Sequence, residues 1–117
     1  MKRHVRFASL LVLAATLVGG CSTQLERERT LKQDLMKMRL AIDNYTLDKQ
    51  ELPQSLEALV DGHYLKEIPT DPFTRKKDWV LQFDVVELSA EHSSTGLVDV
   101  HSASSQLASN GVPYNEW

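Results

Sequence analysis

The sequence predicts an α+β domain in which a long N-terminal helix packs on a small antiparallel β-sheet. Apolar residues recur with helical spacing over residues 23–50, whereas apolar and polar residues alternate as in strands over residues 79–88 and 97–102. A short helix at about residues 55–61 and a loop-rich C-terminal segment complete the predicted order. At 117 residues the chain has room for one such domain.

The first twenty residues have the pattern of a secretory signal peptide. Lys2, Arg3 and Arg6 form a basic start, and residues 7–20 are an apolar or small run that is short for a bilayer span. The run ends in two glycines directly before Cys21, the only cysteine of the chain. This arrangement resembles a bacterial lipobox, which implies removal of residues 1–20 and lipidation of Cys21. The alternative is an ordinary export signal followed by an incidental cysteine.

Charge and anchoring limit the partners that we expect. Residues 1–20 contain three of the 13 Lys and Arg and none of the 16 Asp and Glu, so the remainder carries a formal charge of −6. This acidity argues against nucleic acid or an anionic membrane surface as the main partner. Several acyl chains on Cys21 would give stable membrane attachment. Because Ser22 rather than an aspartate follows the cysteine, the outer membrane is expected rather than the inner one, with the domain facing the periplasm.

The predicted long helix carries two separate apolar faces. The main face needs a cover from the rest of the domain and comprises Leu31, Leu35, Met38, Ile42 and Tyr45. A second, thinner face, termed the outer stripe, comprises Leu25, Met36, Leu40 and Leu47. Since the solvated back of a helix should not carry four large apolar residues, the outer stripe predicts a second contact. That contact is either the following short helix or another protein, which makes the stripe a candidate partner-binding face.

Polar residues mark the ends and the solvated sides of the predicted helices. Thr23 and Glu26 have the spacing of a capping box at the start of the long helix. Ser55 is expected to cap the short helix, whose Leu56 and Leu59 would cover part of the long one. Two pairs spaced four residues apart are expected on a solvated face, namely Glu28 with Lys32 and Arg39 with Asp43.

The predicted strands and tail place further apolar residues against the long helix. The first strand carries Leu81, Phe83 and Val85 on alternate positions. Val98 and Val100 share one face of the second strand, and a polar turn over residues 91–96 joins the two. The tail, rich in Ser and Asn, carries aromatic residues at positions 114 and 117 that would pin it to the sheet.

A run of motifs over residues 31–117 carries a family resemblance. These motifs are Ile42-Asp43-x-Tyr45-x-x-Asp48, Leu52-Pro53-x-Ser55-Leu56-x-x-Leu59, Gly62-x-Tyr64-Leu65-x-x-Ile68-Pro69-x-Asp71-Pro72-Phe73-Thr74 and Asp78-Trp79. Together they resemble the globular domain of the major pseudopilin of type II secretion systems. The resemblance implies a pilin-like fold and a role as a building block or accessory of a pilus-like secretion machine. It implies no enzymatic activity.

The start of the chain departs from that family. Its members begin with a short basic leader, a prepilin-peptidase site and then a long apolar helix with a glutamate near the new terminus that helps subunits assemble. Here the apolar run precedes the expected cleavage before Cys21, and residues 1–20 contain no acidic residue. The filament-forming half of the helix would therefore be lost on processing, and we do not expect an ordinary filament subunit.

The C-terminal loop departs as well, at the positions that commonly bind calcium in the family. Calcium takes about six to eight oxygen ligands and favours carboxylates. The expected acidic positions here hold Ser104 or Ser105 and, later, Asn110, and the nearby carboxylates are Asp99 and Glu116. Neutral oxygens bind calcium weakly, so these five residues are weak calcium candidates and no other metal or cofactor is expected.

The sequence contains none of the phosphate-loop, nucleophile-elbow or zinc-helix motifs of common enzyme classes. We therefore expect a lipid-anchored, non-catalytic pseudopilin-like protein. It would serve as a structural or accessory component of a type II secretion or type IV pilus-like system, with protein components of that machine as partners. The alternative is a free-standing periplasmic ligand- or ion-binding lipoprotein on a pilin-like fold.

Overall fold

The computed structural model of the protein describes residues 23–117. Its elements are helix α1 (Gln24–Lys49), helix α2 (Leu56–Asp61), strands β1 (Val80–Ser89) and β2 (His92–His101), and a short 3-10 turn (Tyr114–Glu116). The predicted α+β arrangement of a long helix, a short helix and an antiparallel sheet is confirmed. The predicted signal peptide over residues 1–20 and the predicted lipid site at Cys21 lie outside the described residues.

Helix α1 begins and ends at residues whose caps satisfy its free backbone groups. The hydroxyl of Thr23 accepts a hydrogen bond from the Glu26 backbone N–H at 3.1 Å, and the Glu26 carboxylate accepts one from the Thr23 N–H at 3.4 Å. This reciprocal capping box is the one that the spacing predicts. At the other end Gln50 adopts the left-handed conformation with φ 55° and donates its N–H to the Thr46 carbonyl.

The main face of α1 forms the centre of the core. Leu31, Leu35, Met38 and Ile42 are almost fully buried, and Tyr45 is half-buried beside them. They pack against other core side chains from α2, β2 and the tail, among them Leu56, Leu59, Leu97, Val100 and Tyr114. Full burial of one such aliphatic side chain contributes about 1.5–3 kcal/mol, so this face is the principal apolar contact of the helix.

Strand β2 begins earlier than the sequence predicts. The polar turn expected over residues 91–96 is wrong, because β2 starts at His92 and pairs with β1 along nearly its whole length. Only residues 90–91 form the turn. The outer half of the hairpin has no core beneath it, so its side chains need not alternate in polarity and the strand is not visible in the hydrophobic pattern.

A bulge in β2 changes which residues face the core. The register shifts between Gln82 and Phe83, which leaves Val98 without an opposite residue. Leu97 and Val100 are consequently both buried although they are three positions apart. The prediction that Val98 and Val100 share the core face is therefore wrong, since Val98 is only half-buried and Leu97 takes its place.

The alternating face of β1 is only partly covered. Leu81 packs against the core, but Phe83 and Val85 are more than half exposed. Helix α1 packs on β2 rather than on β1, so the outer part of β1 extends past the helix. Of these three alternating residues, Leu81 is thus the one that contacts the core.

The segment between the two helices covers the outer edge of β2. The Leu97 N–H donates to the Pro53 carbonyl at 2.8 Å, and the Gln54 side-chain amide donates to the Thr95 carbonyl at 2.8 Å. Gly96 allows this close approach, because a Cβ there would lie 2.7 Å from the Leu52 Cβ and from the Pro53 carbonyl oxygen. Within residues 23–117 the opposite edge of the sheet, on β1, has no strand beside it.

Two charged residues of α1 hold the tail instead of decorating a solvated face. Glu28 is only 3% exposed and accepts hydrogen bonds from Ser109 and Tyr114, so its predicted surface pair with Lys32 is wrong. Arg39 donates to the Asp99 carboxylate at 2.7 Å and to the carbonyls of residues 100 and 117, not to Asp43. Both corrections have one cause, since these side chains meet β2 or the tail, which the helix pattern alone does not place.

The aromatic residues of the tail pin it to the core as predicted. Tyr114 is fully buried and stacks on Phe73 with 3.8 Å between the ring centroids. Trp117 meets Tyr114 edge to face at 5.1 Å. The loop after α2 and the tail are thereby fastened to each other and to the helix.

Candidate functional site

The outer stripe of α1 lies bare on the surface. Leu25, Met36, Leu40 and Leu47 are between 55% and 70% exposed. They cluster on one side of the helix at 100° per residue and extend over about 33 Å of its length at 1.5 Å per residue. Exposing large apolar side chains to water is unfavourable, and an aligned set of them marks a contact surface more often than scattered ones do.

Helix α2 does not cover the outer stripe. Its Leu56 and Leu59 are buried in the core against the main face of α1. The intramolecular alternative that the sequence left open is therefore wrong for this helix. Among residues 23–117 the stripe stays uncovered.

Two grooves flank the outer stripe, one on each side of α1. The sheet-side groove has a volume of about 470 Å³ and an apolar lining that includes Ile42, Leu47, Leu52 and Val86. The loop-side groove has a volume of about 460 Å³ and lies between α1 and the loop at residues 64–69. Leu47 of the stripe lines the first groove and Leu40 lines the second, so stripe and grooves form one continuous surface.

The loop-side groove has an apolar wall, a charged rim and an acidic floor. Ala41, Leu65 and Asp34 are its buried members and form the floor. The rim consists of exposed polar side chains, namely Lys37, Asn44, Lys66 and Glu67. Leu40, Tyr64 and Pro69 complete the wall. A concave, largely apolar site with a few polar groups is the usual form of a binding pocket.

Asp34 has an unusual environment on this floor. The side chain belongs to a residue that is 8% exposed, and its carboxylate has neither a hydrogen bond nor an ion pair among residues 23–117. Burial raises the pKa of Asp34 above its ordinary value, the charge of Asp71 raises it further, and the charge of Lys37 opposes the rise. Its oxygens are nevertheless not sealed from solvent, since among the described residues the shielded side-chain atoms without a partner are Arg27 Nε and Trp117 Nε1. The carboxylate is therefore solvated through the loop-side groove that it lines.

Asp71 nearby shows how the fold treats an acid that it uses structurally. It is fully buried and accepts a hydrogen bond from the Ser102 hydroxyl at 2.5 Å. The backbone N–H groups of Phe73 and Thr74 donate to its other oxygen at 2.8 and 3.3 Å. Three donors offset the cost of its burial, and the loop at residues 71–76 is fixed as a result. Asp34 lacks this support.

No family model matches the chain, and comparisons with curated proteins and with solved structures find no match either. The functional interpretation therefore depends on the geometry of this chain. Within residues 23–117 no helix combines the length and the apolar character that crossing a membrane requires.

Three of the five calcium candidates have other partners in the structure. Asp99 pairs with Arg39 at 2.7 Å and lies 3.4 Å from a ring nitrogen of His101. The Asn110 side chain accepts from the Val112 N–H at 3.0 Å, which fixes a tight turn. Ser104 accepts from the Gln106 N–H at 3.3 Å, whereas Ser105 and Glu116 are exposed. In the described part of the chain no three His, Cys, Asp or Glu side chains lie together as a metal site.

Sequence reasoning missed Asp34, although the sequence holds a signal for it. Asp34 follows Leu31 by three residues and precedes Met38 by four, so it lies on the main apolar face of α1. Glu28 has a similar position, seven residues before Leu35. Glu28 has hydrogen-bond partners in the tail, whereas Asp34 has none among the described residues.

Proposed function

We propose that this protein is a lipid-anchored, non-catalytic pseudopilin-like protein that serves as an accessory component of a type II secretion or type IV pilus-like system. The observation that carries the proposal is the uncovered outer stripe on a helix that begins three residues after Cys21. Acyl chains on Cys21 hold the domain at the outer membrane, facing the periplasm, and the stripe docks a protein component of the machine.

The packing of the motif residues supports the pseudopilin-like part of the proposal. Asp71 and Phe73, from the most distinctive motif, lie between α1 and the tail. The Trp79 indole N–H donates to the Pro69 carbonyl at 2.8 Å, which joins two of the motifs. The motif residues thus hold the fold together, whereas the outer stripe has no packing role and is available for binding.

The geometry of the anchor supports the docking role. Helix α1 begins close to the expected lipid site, and the stripe extends from Leu25 at this end to Leu47 near the other. A partner at the membrane surface could therefore contact the stripe over about 33 Å without the domain leaving the membrane, at 1.5 Å of rise per residue. Leu40 and Leu47, which also line the two grooves, are expected to contribute most to partner binding.

The anchor is tested by metabolic labelling with palmitate. Wild-type protein is expected to take up label and to fractionate with membranes, and Cys21→Ala is expected to do neither. Unlabelled wild-type protein that is free in the periplasm contradicts lipid anchoring, because that result is expected of an ordinary export signal followed by a cysteine that is not lipidated.

Docking is tested by co-purification from cross-linked envelopes. We expect secretion or pilus components to co-purify with the wild type. The double variant Met36→Gln/Leu40→Gln should recover markedly less of them. The matched control is Phe83→Gln/Val85→Gln, which removes exposed apolar groups from β1 and should retain the components. Equal recovery from both double variants contradicts docking through the outer stripe.

The second candidate is a periplasmic ligand- or ion-binding lipoprotein, and the loop-side groove is the feature that favours it. Ligand binding to the folded state raises the melting temperature in proportion to RT ln(1 + [L]/Kd). A shift with millimolar calcium would support the ion version of this candidate. An unchanged melting temperature is expected if the protein is a docking component.

A further inference from the structure

We propose that the loop-side groove receives a lysine or arginine side chain of the protein partner, whose charge pairs with the Asp34 carboxylate while neighbouring apolar side chains of the partner pack on Leu40 and Tyr64. This inference rests on the proposed function for the partner being a protein, and it adds the chemistry by which that partner is recognised. It also makes Asp34, rather than the stripe alone, the residue that selects the partner.

Asp34 differs from the other buried acids of the fold in having no hydrogen-bond donor among the described residues. The other buried acids, Glu28 and Asp71, each accept three hydrogen bonds from the fold. Asp34 is buried to a similar degree and accepts none among the described residues. Its carboxylate oxygens are not among the side-chain atoms of the described residues that are shut off from solvent without a partner, so water reaches them through the groove. A basic group of a partner can therefore reach them too, and pairing would offset the partial desolvation of the carboxylate.

The loop-side groove has the volume and the lining that a basic side chain requires. Its volume of about 460 Å³ lies within the range of about 300–1,000 Å³ that is typical of binding pockets. The apolar wall of Leu40, Tyr64 and Pro69 suits the methylene stem of a lysine or arginine. Asp34 lines the same groove, so the charged end of such a side chain can meet its carboxylate there.

The charges around the groove decide between a cation and an anion. An anion would be repelled by Asp34 in the least polar part of the groove, where electrostatic interactions are strongest. Lys37 and Lys66 are exposed on the rim, and solvent screens their charges. Lys37 lies on the same helix but does not come within 4 Å of the Asp34 carboxylate. A basic side chain of a partner would thus supply the positive charge that the Asp34 carboxylate lacks among the described residues.

A partner peptide fits the groove better than a free small cation. Leu40 belongs both to the outer stripe and to the wall of the groove, so a partner seated on the stripe would pass directly over the groove opening. Apolar contacts on Leu40 and Met36 would supply affinity, and the buried ion pair would supply selectivity. A metal ion is disfavoured, since the described residues bring no three His, Cys, Asp or Glu side chains together.

A peptide titration tests the groove independently of any secretion component. The full chain, purified from membranes in detergent, is titrated with acetyl-Leu-Arg-Leu-amide and with the citrulline analogue, which has nearly the same shape without the charge. We expect the wild type to bind the arginine peptide at least about tenfold more tightly, and Asp34→Asn to lose this preference. The control Glu51→Gln, at an exposed acid that lines neither groove, should keep it. Equal affinities for the two peptides, or no binding of either, overturn the proposal.

The melting temperature separates a binding role of Asp34 from a structural one. If Asp34 awaits a partner, Asp34→Asn should melt at the wild-type temperature or above it, because the variant removes a partly desolvated charge that no group among the described residues pairs with. A clear fall in melting temperature identifies Asp34 as a structural residue and overturns the proposal.

Co-purification from cross-linked envelopes then separates this inference from the proposed function. If wild-type protein recovers a secretion or pilus component and Asp34→Asn does not, both stand. Equal recovery with Asp34→Asn overturns the basic-side-chain site and leaves docking through the stripe in place. If the wild type recovers no such component, the proposed function fails, and the peptide titration alone decides whether the groove binds a basic side chain.

Discussion

The carboxylate of Glu28 accepts 2.8 Å hydrogen bonds from both the backbone N–H and the hydroxyl of Ser109, which lies 81 residues later in the chain. A third bond, from the Tyr114 hydroxyl, is also 2.8 Å long. Glu28 therefore holds the first turns of α1 to the tail, together with the Gln24 amide, which donates to the Leu107 carbonyl and the Tyr114 hydroxyl. This contact predicts how the stability of the domain depends on pH.

We expect the domain to lose stability as the pH falls through the acidic range, in part because of Glu28. The Ser109 N–H is the main cause that lowers the pKa of Glu28 below its ordinary value of 4.5, with the Ser109 and Tyr114 hydroxyls adding to it. The folded state thus holds this proton less tightly than the unfolded state, so the stabilisation is present above pH 4.5 and is lost below it. Denaturant unfolding between pH 3 and 7 should show a flatter profile for Glu28→Gln than for the wild type. If Glu28→Gln and the exposed control Glu51→Gln give the same profile, the contact has no energetic role.

Asp34→Asn should have the opposite effect and raise stability at neutral pH. Burial raises the pKa of Asp34 above 3.8, so the folded state holds this proton more tightly than the unfolded state. Stability attributable to Asp34 is then fully present below pH 3.8 and falls as the pH rises through the folded-state pKa. The free energy of unfolding of Asp34→Asn relative to wild type should therefore increase between pH 4 and 7. A constant difference over this range would show that Asp34 titrates alike in both states.

Arg39→Ala should destabilise the domain by about 1–3 kcal/mol, the range for buried or partly buried hydrogen bonds to charged groups. Arg39 joins Asp99 and the carbonyls of residues 100 and 117, and Ala loses all of these bonds. Arg39→Lys keeps the charge but not the planar fork, so it should recover only part of the loss. Arg29→Ala, at an exposed position of the same helix, should change the free energy of unfolding by less than about 0.5 kcal/mol. Equal effects of Arg39→Ala and Arg29→Ala in urea unfolding would count against the Arg39 contacts.

Gly96→Ala should destabilise the domain by about 1–3 kcal/mol, the usual cost of overpacking. The added Cβ would lie 2.7 Å from the Pro53 carbonyl oxygen, so the segment that covers the edge of β2 has to move. Gly111 offers a comparison, because a Cβ there meets nothing within 4 Å but the residue has φ +81°. Gly111→Ala should cost about 1 kcal/mol from backbone strain alone. Hydrogen exchange of the Leu97 amide should accelerate in Gly96→Ala and stay unchanged in Gly111→Ala.

Local patterns in the sequence predict those parts of the fold that depend on neighbouring residues. The capping box at Thr23, the main face from Leu31 to Tyr45 and the turn from α1 to α2 all follow from spacing and from residue type. The parts that were missed depend on residues far apart in the chain. The bulge at Val98 and the early start of β2 are set by pairing with β1, and a single strand does not reveal its register.

Within the candidate site, too, local spacing predicts some features, whereas others depend on residues far apart in the chain. The outer stripe could be identified from spacing alone, because an exposed apolar face is a local property of α1. The roles of Glu28, Asp34 and Arg39 could not, since each depends on whether a distant segment supplies a partner. Ser109 and Asp99 supply partners for Glu28 and Arg39, and among the described residues nothing does so for Asp34.

Site-specific photo-cross-linking at Met36 tests the central claim most directly. A photoreactive residue at this position of the otherwise wild-type, membrane-attached protein should form an adduct with a component of a secretion or pilus-like machine, because Met36 lies in the middle of the exposed stripe. The same group at Val85, an equally bare apolar position on β1, should not form that adduct. Adducts of equal yield at both positions, or none at Met36 while the protein is anchored in the membrane, would contradict docking through the outer stripe.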